Sequence, residues 1–175
     1  MIATSSTAFN GVVKEYVVDQ SWESAQTAEY QMYRNKVTEM LADPTNNTPD
    51  FPLCLEVETT YHCNLECPFC ARGVSADERV EKHMSPEVWS NLLGQIEENY
   101  LPSLMMDHEG ESLLNKNLES MISDARDRGV LDVWLHTNGQ ALTEDRSRNL
   151  LEAGLTKLNV SCLLYTSDAA DELRS

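Results

Sequence analysis

The sequence is short of basic residues. Only 13 Lys and Arg stand against 29 Asp and Glu, a formal charge of −16 over 175 residues. Nucleic-acid binding draws its affinity from clustered Lys and Arg, so a phosphate-backbone partner is excluded, and anionic membrane surfaces are disfavoured for the same reason. Long hydrophobic runs are missing as well. No stretch approaches the roughly 18 apolar residues of a spanning helix, and the first nine residues have neither the basic start nor the apolar stretch of a secretory signal. The expectation is a soluble, cytoplasmic protein without a membrane partner. Cysteine is scarce and odd in number, at positions 54, 63, 67, 70 and 162. Three of the five lie within eight residues, a poor disulfide framework that suits site chemistry better.

The length fits about one domain, able to bury about two-thirds of its unfolded surface. Residues 12–18 read as a strand, and Tyr30, Tyr33, Val37, Met40 and Leu41 recur at helical spacing within 23–42. Residues 43–52 are dense in Pro, Asn and Asp and read as a linker that closes an extension over 1–52. From residue 53 short apolar runs alternate with helical patterns. Strands are expected over 53–59, 104–107, 130–135 and 155–160. Ser85 caps a helix with Pro86 at its first position and Val88, Trp89, Leu92, Leu93 and Ile96 on one face. Leu118, Met121, Ile122 and Ala125 make a second face, stopped at Gly129. Thr143, Glu144 and Asp145 open a third helix that is expected to bury Leu150 and Leu151 and to end at Gly154. Strands alternating with helices imply βαβ units, an α/β fold and a parallel sheet.

In parallel α/β folds chemistry collects where strands end and loops begin. Cys63, Cys67 and Cys70 follow the first strand by a few residues, close enough for three thiolates to share one centre. Soft sulfur ligands select zinc, copper(I) or an iron-sulfur cluster. A closed zinc site needs a fourth ligand, which His62 or His83 could supply, and the rival reading is a non-catalytic zinc-binding interaction module. A cluster held by three cysteines instead leaves one iron open to a substrate or cofactor. Cys54, in mid-strand, reads as a small buried thiol.

The spacing C-x3-C-x2-C, with Phe69 before the last cysteine and the whole after a first strand, resembles the signature of the radical S-adenosylmethionine superfamily. Further segments share the likeness. The run from Glu109 through Gly110, Glu111 and Ser112 to Leu114 is similar to that family's Gly-Gly-Glu-Pro segment, with Glu109 for the first glycine and Ser112 for the proline. His136, Thr137, Asn138 and Gly139 end the third strand, and Asn159, Val160 and Ser161 the fourth, both at family positions near the cofactor. The resemblance covers 53–161 and implies a partial (βα) barrel of the radical SAM type with an α-helical N-terminal extension. It implies that Cys63, Cys67 and Cys70 ligate a 4Fe-4S cluster, and that Phe69, Gly110, Glu111, Asn138 and Ser161 lie on S-adenosylmethionine. It also implies a low-potential electron donor and a 5′-deoxyadenosyl radical that abstracts hydrogen from a substrate, either a peptide or a small molecule. A C-terminal auxiliary-cluster domain of the SPASM kind occurs in some members. Asp107, His108 and His136, at strand ends, are candidates for substrate contact, whereas Arg72, Lys82 and the acidic stretches 97–98 and 124–127 are expected to face solvent.

Such barrels close six strand-helix units, and only four strands are counted here. Residues 162–172 can be back-translated into a run that resembles a transposase adapter of sequencing libraries. The expectation is therefore an incomplete core over 53–161, truncated after four strands, with a non-native tail over 162–175.

Overall fold

A computed structural model describes residues 3–9, 12–18, 26–67, 70 and 82–161. Two compact units divide the chain, Met1–Thr48 and Pro49–Ser175.

In the first unit, β1 (Ala3–Phe9) pairs antiparallel with β2 (Val12–Val18), from Ala3 opposite Val18 to Phe9 opposite Val12. The strand over 12–18 is as expected. Its partner was not expected, because Ala3–Phe9 is mostly Ala, Ser and Thr and carries little apolar alternation, so the extension holds two paired strands besides its helix. The helix α1 (Ala28–Ala42) is capped by Thr27, whose hydroxyl accepts from the Tyr30 amide at 3.2 Å. Tyr30 and Tyr33 are buried and meet edge to face at 5.7 Å. Leu41, placed on the apolar stripe by its spacing, is 72% exposed. Asp43 ends the helix, and a turn follows at 44–46.

The second unit is a sheet of four parallel strands in chain order: β3 (Cys54–Glu56), β4 (Ser103–Met105), β5 (Asp132–Thr137) and β6 (Lys157–Val160). The helices α2 (Pro86–Glu98), α3 (Leu118–Asp127) and α4 (Glu144–Glu152) make the crossovers. Right-handed crossovers between sequential neighbours all return on one side, so the helices cover a single face. That face carries Leu104, Met106, Val133 and Leu135, each with no exposed surface, against Trp89, Leu93, Ile96, Leu118, Ile122 and Leu150. Burying such a side chain contributes about 1.5–3 kcal/mol.

Local chemistry explains the helix ends. Ser85 accepts from the Val88 amide at 3.2 Å and Thr143 from the Arg146 amide at 3.1 Å. Gly129 and Gly154, at φ of +84° and +99°, stop α3 and α4 by the same pair of bonds. The glycine amide returns to Arg126 or Leu151, and the next amide, of Val130 or Leu155, to Ala125 or Leu150. Val130 and Leu155 are thereby folded inward, each less than a tenth exposed.

Several expectations need correction. Val88 and Leu151 belong by spacing to buried faces, yet they are 54% and 69% exposed, because each lies at the margin of its apolar stripe. Cys54 is exposed, since alternation in β3 turns it away from the helix-covered face. Asp124 is half-buried and accepts from the Trp89 indole at 3.1 Å, tying α3 to α2, while Arg126 donates to the Val130 and Leu131 carbonyls at 2.6 Å. Glu97, Glu98 and Lys82 are exposed, as expected.

Candidate cofactor site at the carboxyl edge of the sheet

All four strands run the same way, so the segments that follow them gather at one edge. The first leaves β3 through Glu58, buried Thr59 and Thr60, and His62 to the cysteines. Cys63, Cys67 and Cys70 form no disulfide and are half-buried, and the Cys70 amide returns to the Cys67 carbonyl at 3.1 Å. Soft, reduced and on one short loop, they suit an iron-sulfur centre by donor chemistry. Among the described residues no three His, Cys, Asp or Glu side chains converge as a metal-binding group. Phe69 and Arg72 lie outside the described residues. The rings of His62 and His83 stack on each other at 4.5 Å.

The second segment follows β4 and is fastened to the first at every step. Glu58 accepts from the amides of Glu109 (2.9 Å) and Gly110 (3.2 Å), and the Glu111 amide donates to the His62 carbonyl at 2.7 Å. A Cβ at Gly110 would collide with the Thr60 carbonyl, which is why glycine stands there. Ser112, fully buried, donates to the Met106 carbonyl at 2.6 Å and begins a 3-10 turn over Ser112–Leu114. That bond restrains the turn at the position where the family pattern has proline. Arg146 holds the turn from α4, donating to the carbonyls of Leu113 (3.3 Å) and Asn115 (2.9 Å) and pairing with Glu119 at 3.1 Å.

Glu111 is 3% exposed, and both of its carboxylate oxygens accept hydrogen bonds. It accepts from the Leu113 amide (3.2 Å), the Thr137 hydroxyl (2.7 Å) and the Asn138 amide (2.8 Å). The Asn138 side chain continues the chain of bonds, donating to Asn64 at 2.8 Å, while Asn64 donates to Gln140 at 3.0 Å. Asn64 lies between Cys63 and Cys67, so the cysteine loop is tied to the end of β5. Gly139 turns with φ of +76°. Ser161 is exposed, and its amide donates to the Thr137 carbonyl at 2.8 Å. Gly110, Glu111, Asn138 and Ser161 thus share one edge with the cysteines. Sequence reasoning missed Glu58, Asn64 and Arg146, whose side chains act across the sheet and have no local pattern.

The uncovered face of the sheet is polar. Register aligns Glu56, Met105, Trp134 and Lys157 in one row and His136 beside Asn159 in the next. The Lys157 ammonium lies 4.2 Å from the Trp134 ring, and His136 meets that ring edge to face at 5.4 Å. Asp107, nearly buried, accepts from the His136 amide at 2.8 Å and lies 3.0 Å from its Nδ1; Nε2 is 3.3 Å from the Asn159 amide group. Burial raises the Asp107 carboxyl above its ordinary range, opposed by the bonds to His136. The His108 imidazole is raised by its hydrogen bond to Glu56, at 2.6 Å.

The family model of the Radical SAM superfamily matches residues 57–168. Over 117 residues the chain is 31% identical to a PqqA peptide cyclase of Bradyrhizobium diazoefficiens, covering 67% of this chain and 30% of that protein. Over 107 residues it is 31% identical to a probable GTP 3′,8-cyclase of Methanocaldococcus jannaschii, covering 61% and 35%. Among solved structures it is similar to BtrN in complex with AdoMet and 2-DOIA, with a TM-score of 0.58 and 26% identity over 65% of this chain and 46% of that one. The open conformation of selenomethionine BtrN gives a TM-score of 0.56 at 26% identity, covering 65% of this chain and 51% of that one. The chain thus spans about a third of the curated relatives it matches. No helix among the described residues is long and apolar enough to cross a membrane.

Proposed function

The chain belongs to the radical S-adenosylmethionine superfamily, and from that membership we propose that it carries the cluster- and cofactor-binding part of a radical enzyme. Cys63, Cys67 and Cys70 would hold a 4Fe-4S cluster. The observation that carries this reading is three half-buried thiols, none in a disulfide, on the segment leaving β3, which is fastened to the turn after β4. When bound, the cluster and S-adenosylmethionine together supply reductive carbon-sulfur cleavage, giving methionine and a 5′-deoxyadenosyl radical that takes hydrogen from substrate.

The residues of this chain bind and orient. Gly110 lets the turn backbone approach the β3 exit. Glu111 fixes that turn against Thr137 and Asn138, while Asn138, Ser161 and Phe69 supply further cofactor contacts. Asp107, His108 and His136 sit beside the site as substrate contacts. The relatives' names point to a peptide in one case and to GTP in the other, so the substrate class is a peptide or a small polar molecule, and reduction needs a low-potential electron donor.

Anaerobic reconstitution with iron and sulfide tests the reading. A brown protein with broad visible absorbance, bleached by dithionite and lost in Cys67→Ala, is expected. A colourless protein holding stoichiometric zinc would instead establish the zinc-binding interaction module. Formation of 5′-deoxyadenosine on reduction separates radical chemistry from a barrel that only passes electrons.

A further inference from the structure

At the ends of β4 and β5 a buried acid stands behind a half-exposed imidazole. The Asp107 side chain is 8% exposed and that of His136 is 42% exposed, so of the two only the histidine can meet a molecule on the open face. Asp107 holds it twice, with Oδ1 accepting from the His136 amide at 2.8 Å and Oδ2 lying 3.0 Å from Nδ1. A carboxylate only accepts, so Nδ1 carries the ring proton. At the other nitrogen the Asn159 NH2 stands 3.3 Å from Nε2, and an amide NH2 only donates. Both neighbours therefore select the same neutral tautomer, with the lone pair on Nε2. Two further charged groups of this face are engaged elsewhere, Lys157 on the Trp134 ring and Glu56 with His108.

We propose that His136 is a proton acceptor for substrate on the open face, and that Asp107 is the positioning residue that keeps Nε2 unprotonated for that task. The proposal rests on the reading of His136 as a substrate contact and adds its role and the class of group it meets, a hydroxyl or an ammonium. The Asn159 bond is long for an N–H donor, so a substrate donor at closer range displaces it. The substrate's O–H or N–H proton then passes to the Nε2 lone pair, and the bonding electrons stay on the substrate oxygen or nitrogen. No oxidant or reductant takes part. The imidazolium that forms is offset by the Asp107 carboxylate at Nδ1, the arrangement that makes a buried acid and a histidine an effective base.

The test reads the ring on the cluster-free chain, at a pH above the ordinary histidine range. Nitrogen NMR of the labelled imidazole is expected to find the His136 proton on Nδ1. A proton on Nε2 would overturn the proposal, since a protonated Asp107 donating to Nδ1 gives that tautomer. The second probe is diethylpyrocarbonate, which acylates an imidazole through a nitrogen lone pair, with the modified histidine located by mass spectrometry. His136 should react; acylation of His108 with His136 untouched would overturn its role as acceptor. In Asp107→Asn, an asparagine that keeps Oδ1 on the His136 amide sets its NH2 against Nδ1 and moves the ring proton to Nε2. Acylation of His136 is expected to slow about tenfold, the preference that one charge-assisted hydrogen bond supplies, with His108 unchanged. An unaltered tautomer and rate would overturn the part given to Asp107. Should that variant not fold, Asn159→Ala decides. It is expected to keep the proton on Nδ1 and to quicken acylation, and a proton moved to Nε2 or slower acylation would overturn the proposal. A chain that shows the Nδ1 tautomer but forms no cluster on reconstitution would sink the cofactor reading and leave the pair standing.

Discussion

Alternate residues of the same four strands build two faces of opposite character. Leu104, Met106, Val133 and Leu135 fill the side toward the helices and expose nothing, whereas their neighbours Glu56, Trp134, His136, Lys157 and Asn159 are polar or aromatic and at least partly exposed. A parallel sheet is normally buried on both faces and reads as continuous apolar runs. Here one face is given to stability and the other to titratable groups paired among themselves, and the two meet at the carboxyl edge, where Glu111 is buried yet bonded to the end of β5 and to the segment that leaves β3. Stability and chemistry are thus separable by position, and substitutions can test how cleanly.

Leu135→Ala on the covered face should have the largest effect on folding, about 2–5 kcal/mol, because a fully buried side chain leaves a cavity among close-packed neighbours. Urea unfolding measures it, and a loss under about 1 kcal/mol would mean that the helices do not seal this face as described. Glu111→Gln, where the faces meet, should cost about 1–3 kcal/mol, since an NH2 replaces an oxygen that accepts from the Asn138 amide. The same denaturation series reads it, with the Asn138 amide losing exchange protection. The smallest effect is expected on the open face. The Glu56 carboxylate raises the His108 imidazole, so the stabilisation from this pair is present below the ordinary histidine range and is lost as pH rises through the raised value. In Glu56→Gln the His108 resonances should titrate back toward the ordinary histidine range. An unchanged titration would show that the pair does not persist in solution.

Much of the architecture was legible because its causes are local. Ser85 and Thr143 are caps by side-chain chemistry, Gly129 and Gly154 are stops because glycine takes positive φ without strain, and the spacing of Leu118, Met121, Ile122 and Ala125 defined a face that is wholly buried. Val88 and Leu151 were misread because periodicity gives a helix's apolar side and not the width that its neighbours cover. Cys54 was misread because a three-residue strand carries too little alternation to tell its inner face from its outer. Ala3–Phe9 escaped because Ser and Thr pair by backbone without an apolar signal. At the site, the cysteine spacing is local and visible in the chain, whereas Gly110, Glu111, Asn138 and Ser161 were singled out by family resemblance, and the fold brings them to the same edge.

The sequence by itself determined the class of the fold and, from residue 53 on, the order of strands and helices, since propensity and capping are properties of neighbouring residues. Tertiary structure alone decided which groups meet across the sheet. Glu58 reaches the amides of Glu109 and Gly110, Asn64 reaches Asn138, Arg146 grips the turn beyond Glu111, and Asp107 orients His136. Between 29 and 74 residues separate these partners. Parallel pairing of the strands brings their ends to one edge, and only that closure makes the pairs neighbours.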